Sequence, residues 1–408
     1  MKKPNLLVLG ASGGVANAVL HYLVHHRNIF GKLVLLDKNK KVLSDCYIDH
    51  KGLDYTFIHK KIVLPEKENE YYDILKKHKI NLVLDVTDMD SIPVIESTNK
   101  LGINYINTAM NDDGKTVAEL VYYIFSRRNN LTNAVNIFCA GMNPGIVNMW
   151  VRYGIEKYGL PKEVIHFEYD SSKVARHWKP IMTWSIHEFI TEVIKDPSGV
   201  VFGRGKFKKL LPNALEHRVD MKPILSPILK LHKYPKGFTV LHEENLTIAQ
   251  KYNIPSKFIY AINTTTTENL LKIYNKNKEV TKQALIHGDN TNNILEGSDS
   301  IGVLLRYGDK DVYYFNSVPN NAVMGTNATY LQVAVGIFAA IFALLFDGLK
   351  KGVYFPEDLF NTHYKYYMFD NIRVQEFVFN KTGGKLKIQH YNPEIKVKRT
   401  NHFEHMYL

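Results

Sequence analysis

Cysteine is nearly absent: the 408 residues contain two, Cys46 and Cys139. So few exclude a disulfide framework and a cysteine-based zinc site, and they fit a reducing, cytoplasmic setting. An N-terminal apolar segment with a small-residue cleavage site is also missing. MKKPNLLVLG runs straight into a strand-and-glycine turn, which reads against a signal peptide. One stretch, Tyr330 to Phe346 (YLQVAVGIFAAIFALLF), is apolar for about one turn less than a bilayer needs, and Gln332 and Gly336 interrupt it. It reads as a buried helix, capped at Asn327 or Thr329 and ended by Asp347-Gly348, so no membrane partner is expected. There is no internal repeat or low-complexity segment. Positive charge is in excess (+12) but concentrated in a basic loop, 204–236, and a basic tail, 381–408. Neither carries a nucleic-acid-binding motif, so solvated charge is expected there rather than a nucleic-acid partner.

What is present suits a two-domain α/β chain, with 45% hydrophobic residues to build two cores. NLLVLG (5–10), an amphipathic stretch to about Arg27, and LVLLD ending at Asp37 outline a β-α-β unit. Apolar runs at 82–86, 103–107 and 134–140 continue the alternation, predicting a Rossmann-like doubly wound parallel sheet. Asn143-Pro144-Gly145 then predicts a cap and first-turn proline ahead of a helix reaching about Tyr158. Beyond Glu163, strand-like pieces at 164–170, 238–242, 257–264, 301–307 and 311–317 predict a second α+β domain with a mainly antiparallel sheet. The expected boundaries are 1–145 for an NAD-binding domain completed by the helix near 327–350, and 146–326 for a substrate-binding domain. Residues 351–408 are expected to form a C-terminal extension with the basic tail.

The turn Gly10-Ala11-Ser12-Gly13-Gly14-Val15-Ala16 reads G-x-x-G-x-x-A, with Ser12 at the second glycine position of the usual fingerprint. Small residues there let the backbone approach a pyrophosphate at a helix N-terminus. Asp37, ending the second strand, is positioned to bond the adenosine ribose, and its charge favours NAD over NADP. Thr87-Asp88 and Asn107-Thr108 lie at carboxyl ends of strands, where open sheets bind ligands; turn formation would account for them equally well. No metal site is expected.

The segment from Val164 to Ile194 sets aromatic rings and carboxylates around Trp184-Ser185, a composition suited to organic cations. Ser185 and Glu188 have capping-box spacing, which makes Glu188 structural, while Glu192 lies one helical turn beyond it. A core role for Trp184 is the alternative.

GMNPGIV (141–147), FEYDSS (167–172), TWS (183–185), HEENLTIA (242–249), EGSDSIGVLL (296–305) and NATYLQV (327–333) follow one another as in bacterial-type homospermidine synthase, which the chain resembles to about residue 345. The wider relatives are saccharopine dehydrogenase-like proteins. The resemblance implies an NAD-dependent aminobutyl transfer: two putrescines give homospermidine and ammonia, through hydride removal, imine exchange and re-reduction. It implies a homodimer, with putrescine, and spermidine as a further amine, as substrates. By the same resemblance, Trp184 is the cation–π tryptophan, Glu168 and Glu244 face the substrate amines, and Glu192 lies nearer the entrance. His242 belongs to the same motif as Glu244, Asn143 sits beside the nicotinamide, and Asp88 marks the cofactor–substrate boundary. Glu168, Glu244 and His242 are the candidate bases, since hydride loss requires a neutral amine. The chain departs from the family at Asn111-Asp112, at His187 and at the run Ile262 to Thr267. The other readings are a saccharopine or carboxyspermidine-type dehydrogenase, with Lys173, Arg176 and Lys179 as a carboxylate clamp, and a non-catalytic NAD-binding module.

Overall fold

The structure, a computed structural model, describes residues 3–40, 53–288, 294–322, 325–383 and 385–398. Cys46 and the end of the basic tail, 399–408, lie outside the described residues. The first sheet runs in the order Gly352–Tyr354, Val135–Ile137, Asn104–Asn107, Leu82–Asp85, Leu6–Leu9, Leu33–Asp37, Thr56–His59. Every pairing is parallel. Its central strands LLVL, LVLD and LVLLD are buried along their whole length, as strands covered on both faces must be. The strand order reverses between Leu6–Leu9 and Leu82–Asp85, so a crevice opens at their carboxyl ends, where Gly10 and Thr87 lie.

The second sheet has ten strands, and one of its pairs, Ser256–Ala261 with Glu163–Asp170, is parallel; the other pairs are antiparallel. This is the two-domain α/β architecture expected from the sequence. The helices Ile146–Tyr158 and Ala328–Phe346 share one apolar core with residues of both sheets, including Leu6, Val8, Val303 and Tyr314. The long apolar helix begins at Asn327, whose side chain accepts the Tyr330 N–H at 2.9 Å, and it is mostly buried. Its Gly336 lies so close to Gly141 that a Cβ there would meet the Gly141 carbonyl at 1.9 Å.

Three sequence expectations need correction. The described residues beyond 350 are not an appended extension: Gly352–Tyr354 is an edge strand of the first sheet, and Gln375–Thr382 and Lys385–Asn392 close the second. The basic loop is partly regular, holding the strands Lys206–Leu211 and Arg218–Asp220 and a helical turn, Lys222–Leu225. Gly145, not Asn143, caps the helix Ile146–Tyr158, because at φ +138° it turns its N–H to the Asn148 side chain at 3.0 Å. Asn143 is thereby released for other work.

Candidate functional site

The strand Glu163–Asp170 is apolar on one face and polar on the other. Ile165 and Phe167 join an apolar cluster, while His166, Glu168 and Asp170 alternate with them on the opposite face. In register, Glu168 lies beside Tyr260 and Ile301, and Asp170 beside Asp299. Glu168, Asp170 and Asp299 are all below 5% exposed, so three carboxyls meet in the interior.

Each has neutral partners. Asn143 donates to Glu168. Asp170 accepts from the Ser172 N–H at 2.9 Å and the Thr183 hydroxyl at 2.6 Å, and Asp299 from the Thr329 hydroxyl at 2.7 Å. Among the described residues no Lys or Arg is paired with any of them. The Glu168 and Asp299 charges act on one another, which favours a state in which one of the two carboxyls keeps its proton. Burial, reinforced by the neighbouring carboxylates, pushes Asp299 up to about 8 and Glu168 well above the usual range. A wall of rings stands beside them: Trp184, half-buried, donates its Nε1–H to the Tyr260 hydroxyl at 2.9 Å and meets that ring edge-on at 6.0 Å.

A second group forms at the start of the helix Glu243–Tyr252, where His242 is the cap and the Asn245 side chain returns a bond to its N–H. His242 Nδ1 is bonded to Glu244, and Nε2 lies 3.4 Å from Glu192. Glu243 is 3.3 Å from Nδ1 and accepts the Met110 N–H at 2.8 Å, tying this group to the first domain. Burial opposes a charged imidazole, but Glu244, Glu192 and Glu243 outweigh it, so His242 holds its proton well above the ordinary range. Burial likewise opposes the Glu244 charge, and the imidazolium overcomes it, leaving this carboxyl below its usual range. The carboxylates around it thus favour the charged imidazole, which weighs against His242 as the free base considered from the sequence. His242, Glu243 and Glu244 offer ligand atoms within 4.8 Å of one another, a spacing a cation could use, but His242 Nδ1 is already bonded to Glu244.

Toward solvent, a cleft of about 200 Å³ separates the segment after Asn107 from the π-helical turn Thr191–Lys195 that follows the short helix Ile186–Ile190. Asp88, Asp112, Asp113, Glu188 and Asp196 line it together with Lys115 and Lys195. Ser185 caps the short helix by accepting the Glu188 N–H at 3.3 Å, as its spacing predicts, and its hydroxyl reaches Asp88 at 3.4 Å. The cap is one-sided, with no bond from the Glu188 side chain back to Ser185 among the described residues, and burial, then Glu192 and Asp88, push Glu188 up to about 9.

The sequence-predicted cofactor residues gather at the crevice of the first sheet. Gly10 has φ +78°, and a Cβ on it would meet the Val86 carbonyl at 2.7 Å and the Thr87 methyl at 3.0 Å. Gly13 caps the helix Gly14–His26 without a side-chain bond, so the first turn, which includes Val15, has no side-chain cap. Gly14 serves packing, its missing side chain being replaced by the Tyr330 ring. Asp37 accepts the Ser12 N–H at 2.9 Å and the Asn39 N–H at 2.7 Å, which fixes the turn and leaves each oxygen a further lone pair. Thr87 is bonded to Asp85, and Thr108 lies against Gly141. Asp170, Asp299, Tyr260 and His166 were not among the sequence candidates; the alternation in HFEYD is the one signal that pointed to any of them.

Residues 6–135 match the family described as the saccharopine dehydrogenase NADP binding domain. They form an NAD(P)-binding domain, the class that the parallel sheet and its glycine turn define. The whole chain is similar in fold to apo saccharopine dehydrogenase (L-Glu forming) from Saccharomyces cerevisiae, with a TM-score of 0.61 and 10% identity over 92% of this chain and 99% of that one. Its architecture is thus saccharopine dehydrogenase-like. Fainter likenesses are to WlbA dehydrogenase from Thermus thermophilus, solved with NAD and alpha-ketoglutarate (TM-score 0.35, 10% identity, 81% and 93% covered), and to myo-inositol 2-dehydrogenase from Lactobacillus plantarum (0.36, 9%, 79% and 77%). No curated protein sequence gives a significant match.

Proposed function

We propose that this protein is an NAD-dependent homospermidine synthase, a transferase that joins two putrescines with loss of ammonia and no net redox change. The observation that carries the reading is the buried face of Glu168, Asp170 and Asp299, which has no cationic side chain bonded to it among the described residues. An isolated buried carboxylate is costly, and an ammonium ion from the substrate offsets that cost. The Trp184 and Tyr260 rings beside it suit the same cation.

The glycine turn, the uncapped helix start and Asp37 fit a dinucleotide, with Asp37 favouring NAD because it would repel a 2′-phosphate. When bound, NAD supplies reversible hydride acceptance for amine oxidation and imine reduction. Glu168, steadied by Asn143, holds the substrate ammonium and takes its proton, so that a neutral amine reacts. His242, held by Glu244 and Glu192, carries a proton that it can give to departing ammonia. Asp88 and the acidic cleft beside it attract polyamines toward the site. The reading carries with it a cytoplasmic homodimer acting on putrescine and, as a longer amine, spermidine.

A saccharopine-type dehydrogenase is the second reading, favoured by the family matched over residues 6–135. Its carboxylate substrate would need a cationic clamp, yet Lys173 is exposed and engaged with Glu296 at 3.3 Å, and Arg176 is exposed as well. The test is a mass-spectrometric product assay with putrescine and catalytic NAD. Homospermidine formed over many turnovers without NADH build-up supports the transferase. Net NADH production favours the dehydrogenase, and no amine product favours a non-catalytic module.

A further inference from the structure

The strand Glu163–Asp170 turns its acids to one side of the second sheet, and on the other side, where Ile165 lies, a separate cleft of about 310 Å³ opens. Ile165, Val200, Val219, Ile224 and Ile259 wall it, and half of its lining comes from the basic loop 204–236. Mainly apolar walls with a few polar groups, at a volume near the lower end for small-molecule pockets, fit a small organic ligand.

Thr239 lines the cleft at 3% exposure, and its hydroxyl has no hydrogen-bond partner among the described residues. Its backbone is satisfied: the N–H donates to the His217 carbonyl at 3.4 Å, and the carbonyl accepts the Ser198 hydroxyl at 2.6 Å. Only the hydroxyl is left over, and a buried polar group without a partner is costly. In register, Thr239 lies beside Ile259, two residues from Lys257 on the same face, and Lys257 lies beside Ile165. Lys257 and Arg306, both in the lining, share one acid: Glu163 accepts from Lys257 Nζ at 2.8 Å and from Arg306 Nη1 at 3.2 Å. Two cations against one carboxylate leave a positive charge over. Asp220, the acid in the lining, is exposed and stands opposite Lys236 on the neighbouring strand.

We infer that this cleft is a second ligand site, which takes a small monocarboxylate with an apolar body. The carboxylate meets Lys257 and Arg306 and accepts the Thr239 hydroxyl, while the body lies on the isoleucine and valine wall. The basic loop, with nine Lys and Arg against Glu216 and Asp220, draws anions to this face. The inference stands apart from the transferase reading, because Ile165 and Glu168 occupy opposite faces of one strand.

The test is isothermal titration calorimetry of the whole protein with octanoate and 3-phenylpropanoate, and with octan-1-ol as the uncharged control. The wild type should bind one or both acids, which tells an aliphatic body from an aromatic one. The Kd should stay within about twofold when NAD and putrescine are added in excess, as for uncoupled sites. Thr239→Val should weaken the acid about tenfold and leave Tm unchanged or raised, since it removes an unpaired buried hydroxyl. Lys257→Gln should weaken the acid by about threefold to fivefold without affecting octan-1-ol. Binding that neither substitution weakens, competition from NAD or putrescine, or no binding at all overturns the inference. A second copy of the chain seated on this face would give the last result, and sedimentation velocity would show it as a dimer lost in Val219→Asp.

Discussion

Asp299→Asn should flatten the pH dependence of this protein's stability. Asp299 is buried against Asp170 and Glu168, and its carboxyl holds its proton up to about 8, against 3.8 ordinarily. Between those values the folded chain binds one more proton here than the unfolded chain. Stability is therefore fullest below the ordinary value and is lost as pH rises toward about 8, by about 1.4 kcal/mol per pH unit. From about pH 5 to pH 7 the loss is about 3 kcal/mol, and asparagine, which does not titrate, removes it. Glu168 adds to the effect, since loss of the neighbouring carboxyl relieves its own upward shift. Urea unfolding at the two pH values, without amine, measures the difference between wild type and variant. Contributions from Glu243, Glu357 and Glu188, all displaced upward by burial, cancel in that difference. Equal slopes for the two proteins would refute the view that these carboxyls lack a resident cation.

Trp184→Ala should lower kcat/KM for putrescine by about tenfold, the scale of a desolvated cation–π contact, while NAD affinity changes less than about twofold. Equal losses in both would make Trp184 a core residue. Asp37→Ala should weaken NAD by about tenfold or more in a fluorescence titration, since it removes the ribose acceptor and the carboxylate holding Ser12 and Asn39; an unchanged affinity would remove Asp37 from the ribose site. Gly336→Ala should cost about 3 kcal/mol or more, read as a lowered Tm, because its Cβ would meet a backbone carbonyl that no rotamer change can clear. A Tm within a degree or so of wild type would contradict the close approach of the long helix to Gly141.

The first sheet was legible because parallel strands covered on both faces are written as unbroken apolar runs, as in LLVL and LVLLD. The buried helix Ala328–Phe346 was legible for the same reason, and its Asn327 cap from residue type. Strand pairing distant in sequence was not. Nothing in GVY marks Gly352–Tyr354 as an edge strand for Val135–Ile137, and nothing in QEFVFNKT marks Gln375–Thr382 as the neighbour of Lys310–Pro319. The site divides along the same line. HFEYD alternates polar and aromatic residues, which reveals a polar strand face, but Asp299 meets Asp170 only through the register of two strands far apart in the chain. The charge of His242 was equally hidden: the sequence places Glu243 and Glu244 next to it, while Glu192 arrives from another element and tips the balance toward imidazolium.

The two acid groups treat charge in opposite ways, and that contrast explains their division of labour. Around His242 a resident cation neutralises Glu244, so the pair is complete without ligand and can present a proton at a fixed atom. Around Glu168 no Lys or Arg is bonded among the described residues, and burial with the neighbouring carboxyls favours the protonated forms. On the proposed reading, an arriving ammonium would replace those protons as the compensating charge, so that cation binding and deprotonation of the carboxyl pair would become one linked event. A carboxylate substrate would have the reverse effect, adding negative charge to a face that already cannot ionise fully. On the proposed reading, the composition of this face would select for a cation before any contact specific to chain length or amine spacing is made.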